Sequence, residues 1–544
     1  MHLSVYFHHG RIIRTRSCAS AGSLDGCGAA YRKTVPVHEK LYRLGGRAQG
    51  RGDMWKPDAP WEKVSHAVSV IQLPPPNVDA AREADLKQML DDINRRHIIL
   101  ALEASLLVRD DTCRSNTEAY GNPGAAEHLL QKIKRNGGDL KYIIMDEPFY
   151  YGHRYSGPTA CHESAEALAK KIAAMTVVAR RIFPHLEIGA VEVVDNSREW
   201  VDELLAWADT YKRVTGQPLA FFHTDVSWSE PAMKNLVPLE KGLRERHIPL
   251  GVIYNADGEA SFQSNAMFVD SARRHMGEVG PVFGVHLDHA IFQSWVKFPS
   301  PMMPETQEGT DTNLVFQYIQ PAPVLHLSRA DGELTGRLTD AEGHPVASAQ
   351  VFADAIDISG RMGPQKHEMT GKVPERATSV LVGIRANIEG SCACAGDGTA
   401  VVGLMHYSEA ETGRRQDMRP VNKANPSPLR QIKISKNVTD APNILQFPVT
   451  PGVDYRLDVP MSVTANGELA GYVILIFMDS ANKSVKGDIL WFHPTVLSLG
   501  APSTDGDGRF RMAIPSDVTQ AGAEIRVYYP GSNALRPLIA ASSW

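Results

Sequence analysis

The chain contains no apolar run approaching the roughly 20 residues that a membrane-spanning helix needs, so no span is expected. It also has little charge imbalance. Lys and Arg number 57 against 62 Asp and Glu, a net charge of −5, which supplies no basic field for nucleic acid. Cysteine is scarce: six in 544 residues cannot make a disulfide scaffold. Cys113 and Cys161 fall in loops after two successive strands, where one bridge is allowed, while Cys392 and Cys394 are too close together for an ordinary bridge. No Gly-rich phosphate turn follows a strand, and no HExxH or similarly tight metal-ligand spacing occurs. Hydrophobic content of 43% and charged content of 22% are those of a soluble globular chain. The length predicts more than one domain.

Residues 1–52 differ from the rest. They are rich in Arg and Gly, with Arg11, Arg14, Arg16, Arg32, Arg43, Arg47 and Arg51, and carry no sustained periodicity. Met1–Gly10 lacks the continuous apolar core of a secretory signal. An irregular segment is expected, and a mis-assigned start would explain it.

From residue 53 to residue 320 the pattern alternates strand and helix. Strands are expected at 66–73, 98–107, at the run from Lys141 into Asp146, and at 187–195, 219–226, 249–255 and 281–288. A helix follows each, for example 79–95 with Leu86, Met89, Leu90 and Ile93 at helical spacing. Gly137-Gly138 ends the helix before the Lys141 strand, and Pro231 opens another where proline is tolerated. Seven strand–helix units with short connections predict a parallel sheet covered by helices. An eighth strand, expected just before Asp53, would close an α/β fold of the (β/α)8 TIM-barrel type. The competitor is an open doubly wound sheet.

In such a barrel the C-terminal strand ends share one mouth. Those ends carry Glu103, Asp146 with Glu147, Glu192 and Asp195, His223 and Asp225, Asn255 and Asp257, and His286 and Asp288. Aromatics accompany them: Phe149, Tyr150, Tyr151, Trp228, Tyr254, Phe292 and Trp295. Carboxylates bind hydroxyls and move protons, and flat rings stack on the apolar faces of sugars. A single acid at a strand end is most simply a helix cap; acids at nearly every end are not. His223, Asp225, His286, Asp288 and His289 are also of metal-ligating type, but their spacing favours hydrogen bonding to sugar hydroxyls, and neither metal nor cofactor is expected.

The stretch Met145-Asp146-Glu147-Pro148 resembles the Asn-Glu-Pro signature of the large clan of retaining (β/α)8 glycoside hydrolases. The resemblance implies that Glu147 is the general acid/base. The sequence departs from the pattern at Asp146, which replaces an asparagine, and at Asn255, which stands where a nucleophilic glutamate belongs. Two carboxyl groups are still needed. Asp225, Glu192 and Glu259, in that order, are the candidates for the second, and Glu103, Asp146, Tyr151, His223, Trp228, Asn255, Asp288, Gln293 and Trp295 for substrate contacts. A polysaccharide or oligosaccharide substrate is expected, acted on by a monomer with no nucleic-acid or membrane partner. The alternatives are a non-catalytic carbohydrate-binding barrel and a metal-dependent barrel hydrolase or isomerase.

After Gln320-Pro321-Ala322-Pro323 the pattern turns to short strands and turns, as in all-β sandwiches. Residues 335–351 resemble the first strands of a carboxypeptidase-regulatory, transthyretin-like domain, and its other half resembles Ser503–Phe510. The expected organisation is one sandwich from 324–365 plus 487–544, interrupted by an inserted jelly-roll at 366–486 that is similar to carbohydrate-binding modules. Such modules suit a secreted or periplasmic protein.

Overall fold

Eight strands close into a barrel in this computed structural model. The described residues are 4–8, 53–111, 113–157, 159–228, 230–257, 264–357 and segments of 365–542. The barrel strands are β1 (Ser4–His8), β2 (Val70–Leu73), β3 (Ile99–Glu103), β4 (Leu140–Asp146), β5 (Glu187–Val194), β6 (Phe222–Val226), β7 (Leu250–Ile253) and β8 (His289–Phe292). Strands β2 to β8 pair in parallel in sequence order. β1 closes the ring antiparallel to both β8 and β2.

The eighth strand was expected near Asp53, in the parallel sense. It lies instead at the start of the chain and runs the other way, and Asp53–Trp55 forms a 3-10 turn. The expected strand at 281–288 is a second correction. Those residues form a turn after a helix, with Gly284 at φ 70°, and the strand begins only at His289. The apolar run Pro281–Val285 was mistaken for a strand because four short residues, His-Ala-Ile-Phe, suffice to span this part of the barrel.

The helices are α1 (Glu62–Ala67), α2 (Pro75–Asp79), α3 (Glu83–Arg95), α4 (Ala125–Arg135), α5 (Ala165–Ile182), α6 (Arg198–Thr215), α7 (Glu230–Glu245), α8 (Asn265–Glu278) and α9 (Asp311–Tyr318). α6 shows how sequence writes these boundaries. Ser197 Oγ accepts from the Trp200 amide at 3.2 Å, satisfying one of the free N–H groups of the first turn. Gly216 ends the helix at φ 74°, a conformation that costs glycine least. Between them Trp200, Val201, Leu204, Trp207, Ala208 and Tyr211 form one buried stripe, the spacing that turns a single face to the sheet.

Strand alternation fixes what each side chain meets. Ile71, Leu100, Leu102, Ile143, Met145, Ile188, Ala190, Val252 and Phe292 point outward into the helix-facing core. Val70, Ala101, Tyr142, Ile144, Val191, Phe221, Ile253 and Ile291 form a separate inner core. At Gly251 a Cβ would collide with the His223 ring, Ile291 and His289, so glycine there makes room for inward-pointing histidines.

Beyond the barrel, Val324–Ala330, Glu333–Thr339 and Arg509–Ala513 form a three-stranded sheet. It faces a four-stranded sheet of Val496–Gly500, Phe352–Ile356, Glu524–Tyr529 and Leu538–Ser542, with Leu334, Leu338, Ala353, Ile525 and Val527 in the core between them. The strands from Gln365–Lys372 to Ser484–Phe492 build two further sheets around a core of Tyr407, Leu457, Val459, Leu475 and Phe477. Among the described residues no helix is long and apolar enough to cross a membrane.

Candidate active site

The inward rows of the strands end, at the mouth, in Gln72, Glu103, Asp146, Asp225, Asn255 and Gln293. Each but Asp225 lies two residues beyond an inner-core position, and Asp225 lies four beyond Phe221, with the inward His223 between them. Glu147 follows directly after β4. Its φ is +48°, the left-handed region, which costs a non-glycine residue about 1–2 kcal/mol. Such strain gathers at sites of function. Its amide donates to the Val191 carbonyl at 2.9 Å and its carbonyl accepts from the Tyr151 amide at 3.0 Å. The turn that follows, Tyr150–Arg154, is a single π turn, a form frequent at functional sites.

The Glu147 side chain is 8% exposed, and no hydrogen bond or ion pair to its carboxyl is formed among the described residues. Burial pushes its pKa well above the usual glutamate range, and the charges of Asp146, Asp225, Glu118 and Glu192 push it further the same way. A carboxyl that stays protonated near neutral pH can give a proton to a leaving group. Tyr151 stands beside it, partly exposed, its hydroxyl donating to Glu118 Oε1 at 3.0 Å. Burial and the charges of Glu147 and Glu118 raise the Tyr151 pKa as well, so the ring remains a neutral phenol.

Glu118 was not among the residues singled out from sequence. It lies in the long loop after β3, where no strand end or motif marks it. The one sequence signal was indirect: Cys113 and Cys161 do form the disulfide that the loops allowed, with Cα atoms 5.3 Å apart, and this tie holds the Glu118 loop beside the loop that follows Glu147. Glu163 adds to the tie, accepting from the Tyr120 hydroxyl at 2.9 Å and pairing with Lys171 at 3.0 Å.

Glu192 belongs to the outward row of β5, between the core residues Ala190 and Val194, and is fully buried. Its Oε1 accepts from the Phe149 amide at 2.8 Å and its Oε2 from the Tyr150 amide at 3.0 Å. Burial raises its pKa to about 8 against the lowering effect of those two bonds. Both oxygens are therefore used in holding the turn behind Glu147, and the residue faces away from the mouth. This corrects the expectation of a catalytic Glu192. Phe149 completes the anchor, stacked on Trp200 and Trp207 at 5.2 and 5.1 Å between ring centroids.

Asp225 ends the inward row of β6 and is partly exposed. It accepts from Asn255 Nδ2 at 3.4 Å, and Asn255 Oδ1 accepts from the Trp228 indole. Trp228, at φ +44°, stacks on His275 at 3.7 Å and is only 5% exposed. It was expected as a sugar platform. Its faces are taken by His275 and Tyr254, so it supports Asn255 instead. Asn255, 2% exposed, is likewise a support for Asp225 rather than a surface contact.

Glu103 accepts from Gln72 Nε2 at 2.7 Å at the edge of the mouth. Gln293 lies two residues past Ile291 on the inward row of β8, and Trp295 nearby is 37% exposed, with a ring free for stacking. His223 is 1% exposed and sits one layer below the mouth, its Nε2 2.9 Å from His289 Nδ1. Burial and His289 hold its pKa well below the usual range. It is a core histidine and not the surface contact expected. Asp288 is corrected more strongly. It precedes β8 and accepts from the Leu250 amide, at the start of β7, at 3.0 Å, so it lies at the barrel end opposite the mouth. Glu259 lies outside the described residues.

Of the histidines and acids of metal-ligating type, these placements put Asp288 at the far end of the barrel and leave His223 and His289 paired one layer below the mouth. Among the described residues, three metal-type side chains converge only at Cys113, Cys161 and Glu163, and at the turn of Asp340, Glu342 and His344, neither of which is at the mouth centre.

No family model and no curated protein matches the chain. The similar solved structures include an α-L-arabinofuranosidase from Thermotoga maritima in complex with arabinose, at 13% identity and TM-score 0.30, covering 74% of this chain and 89% of that one. They also include an endo-β-1,4-mannanase from Cellulomonas fimi, at 10% identity and TM-score 0.27, covering 78% and 86%. A third is xylanase 10B from Thermotoga maritima, at 10% identity and TM-score 0.25, covering 44% and 79%. All three are glycoside hydrolases. The class here, an α/β barrel followed by antiparallel β domains, rests on the strand order itself; at these TM-scores the likeness carries no inference about the chemistry.

Proposed function

We propose that the chain is a glycoside hydrolase acting on a polysaccharide or oligosaccharide, with Glu147 as general acid/base and Asp225 as the second carboxylate. The observation that carries this reading is the Glu147 carboxyl: buried, without a hydrogen-bond partner among the described residues, held in a strained backbone conformation at a strand end, and raised in pKa by burial and then by neighbouring carboxylates. In the reaction Glu147 gives its proton to the glycosidic oxygen as the bond to the anomeric carbon breaks. Asp225 then either attacks that carbon, giving a covalent intermediate that water hydrolyses, or takes a proton from an attacking water. Glu103, Asp146, Gln293 and Tyr151 hold hydroxyls, and Trp295 stacks on a sugar face.

The test is hydrolysis of a panel of aryl glycosides and plant or bacterial polysaccharides by the full chain, its Glu147→Gln variant and its Asp225→Asn variant. Activity lost in both, with the anomer of the first product read by NMR, supports the reading and separates retention from inversion. A wild-type chain that binds these sugars but never cleaves them sinks it in favour of a non-catalytic carbohydrate-binding barrel. Activity abolished by a chelator instead supports the metal-dependent reading. The inserted β domain at 366–486 is proposed to be a carbohydrate-binding module.

A further inference from the structure

Helix α8 faces two ways. Asp270, Arg274, Gly277 and Glu278 lie along one side at helical spacing, against the C-terminal sheet. The Tyr528 hydroxyl donates to Asp270 Oδ1 at 3.0 Å. Arg274 lies 4.3 Å over the Tyr528 ring and reaches Asp354 Oδ2 at 3.2 Å. At Gly277 a Cβ would stand 2.9 Å from the backbone nitrogen of Ile539. Arg526, 5% exposed, bridges to Glu278 at 3.5 Å and to Glu230, at the start of α7, at 3.3 Å, and is held on its own strand by Glu524 at 2.6 Å.

The other side of α8 carries Ser271 and His275, one turn apart. Ser271 Oγ donates to Asp257 Oδ2 at 3.1 Å and accepts from the Asp257 amide at 3.0 Å. His275 Nδ1–H donates to the Asn255 carbonyl at 2.8 Å, and its ring stacks on Trp228. Trp228 and Asn255 in turn hold Asp225.

We propose that the C-terminal sandwich positions Asp225 through α8, with His275 as the positioning residue on the mouth side of that helix. The proposal rests on the reading of Asp225 as the second carboxylate. Tyr528, Arg526, His275, Trp228 and Asn255 along this route are buried and close-packed, so a shift of the helix is not readily absorbed by slack. A displacement of about 1 Å at a reacting group can lower a rate by about 100-fold. A sandwich that worked independently of the barrel would need no buried Arg526 bridging two barrel helices. Removing one partner of such a buried cluster leaves uncompensated charge.

The test uses the full chain labelled with 15N-tryptophan, the Trp228 indole resonance being assigned with Trp228→Phe. In Tyr528→Phe and Arg526→Gln the Trp228 resonance is expected to move while that of Trp61, whose indole donates to the Met54 carbonyl, stays. On the aryl glycoside turned over by the wild type, kcat falls about tenfold with KM little changed, and Arg526→Lys restores part of it. In a His275→Gln background, adding Tyr528→Phe moves kcat no further, because the route is already cut. A Trp228 resonance that stays in place in the folded variants overturns the proposal, as do additive effects of the two changes. Should Arg526→Gln fail to fold, Tyr528→Phe alone carries the test. A wild type without glycosidase activity overturns the catalytic reading, but a moved Trp228 resonance would still establish the brace.

Discussion

Glu147 and Glu192 stand on opposite sides of the barrel wall. Both are buried glutamates, and in both burial is the main force raising the pKa. They differ in what meets the carboxyl. At the mouth, Glu147 meets other carboxylates and, among the described residues, no donor. Behind the wall, between β5 and the helices, Glu192 meets two backbone amides. A buried carboxyl with donors is a structural element; one without them that also opens on the mouth is available to a ligand. The difference separates a proton donor from a brace, although the two residues are alike in type and nearly alike in exposure.

The largest effect that would break this comparison is on turnover. Glu147→Gln removes the transferable proton and is expected to lower kcat by a factor on the order of 10²–10⁴, measured on a substrate with a poor leaving group. Since the amide also relieves an unpartnered buried carboxyl, the same variant is expected to melt higher than the wild type at alkaline pH. Loss of activity with a gain in stability is the pattern of a site strained for function. A variant that is both inactive and less stable would place Glu147 among the structural glutamates.

Asp225→Asn sharpens the electrostatic half of the comparison. Removing a neighbouring negative charge favours the ionised form of Glu147, so its raised pKa falls. The alkaline limb of residual activity, which marks loss of the Glu147 proton, should then move to lower pH. A limb that stays in place means that Asp225 does not act on Glu147.

Glu192→Gln should act in the opposite direction on stability. One acceptor is replaced by an amide donor facing a backbone N–H, which costs about 1–3 kcal/mol. The deficit should depend on pH. Because the folded-state pKa of about 8 lies above the ordinary 4.5, the stability linked to Glu192 is fully present below the ordinary value. It is lost as pH rises through about 8. The gap in Tm between wild type and variant should therefore narrow from pH 5 to pH 9, as scanning calorimetry would show. A gap that widens reverses the assigned shift.

Part of this contrast was legible in the sequence. The strand-helix alternation, the apolar run into Asp146-Glu147 and the Gly137-Gly138 stop after α4 follow from spacing and turn chemistry. The side of the wall on which Glu192 falls depends on strand parity counted from the correct first residue, and parity is lost when strand ends are uncertain by one. His286 and Asp288 were placed at the mouth because a turn rich in Val and Phe imitates a strand. Glu118 was invisible because a loop of some twenty residues carries no period, and where it returns is fixed by the disulfide and by side-chain ties such as Tyr120 to Glu163. Trp228 read as a platform because sequence does not show that His275, 47 positions on, covers its face.

Asp311, the first residue of α9, extends the comparison to a third buried carboxyl, and here the expected effect is smallest. Its Oδ2 is buried with no hydrogen-bond partner among the described residues, and burial raises its pKa from 3.8 to about 8. A negative charge in the first turn of a helix is ordinarily favourable, but that gain is outweighed by desolvation at a site 5% exposed. The stability linked to this group is complete below the ordinary aspartate pKa and is lost as pH rises through about 8. Asp311→Asn removes the titration, so the variant should melt higher than the wild type at pH 9 and differ little at pH 4. Unlike Glu147→Gln it should leave kcat unchanged, since nothing in the site depends on it. If Asp311→Asn also abolished turnover, the unpartnered carboxyl of Glu147 would no longer be distinguished by its place at the mouth, and want of a donor alone would cease to mark the catalytic acid.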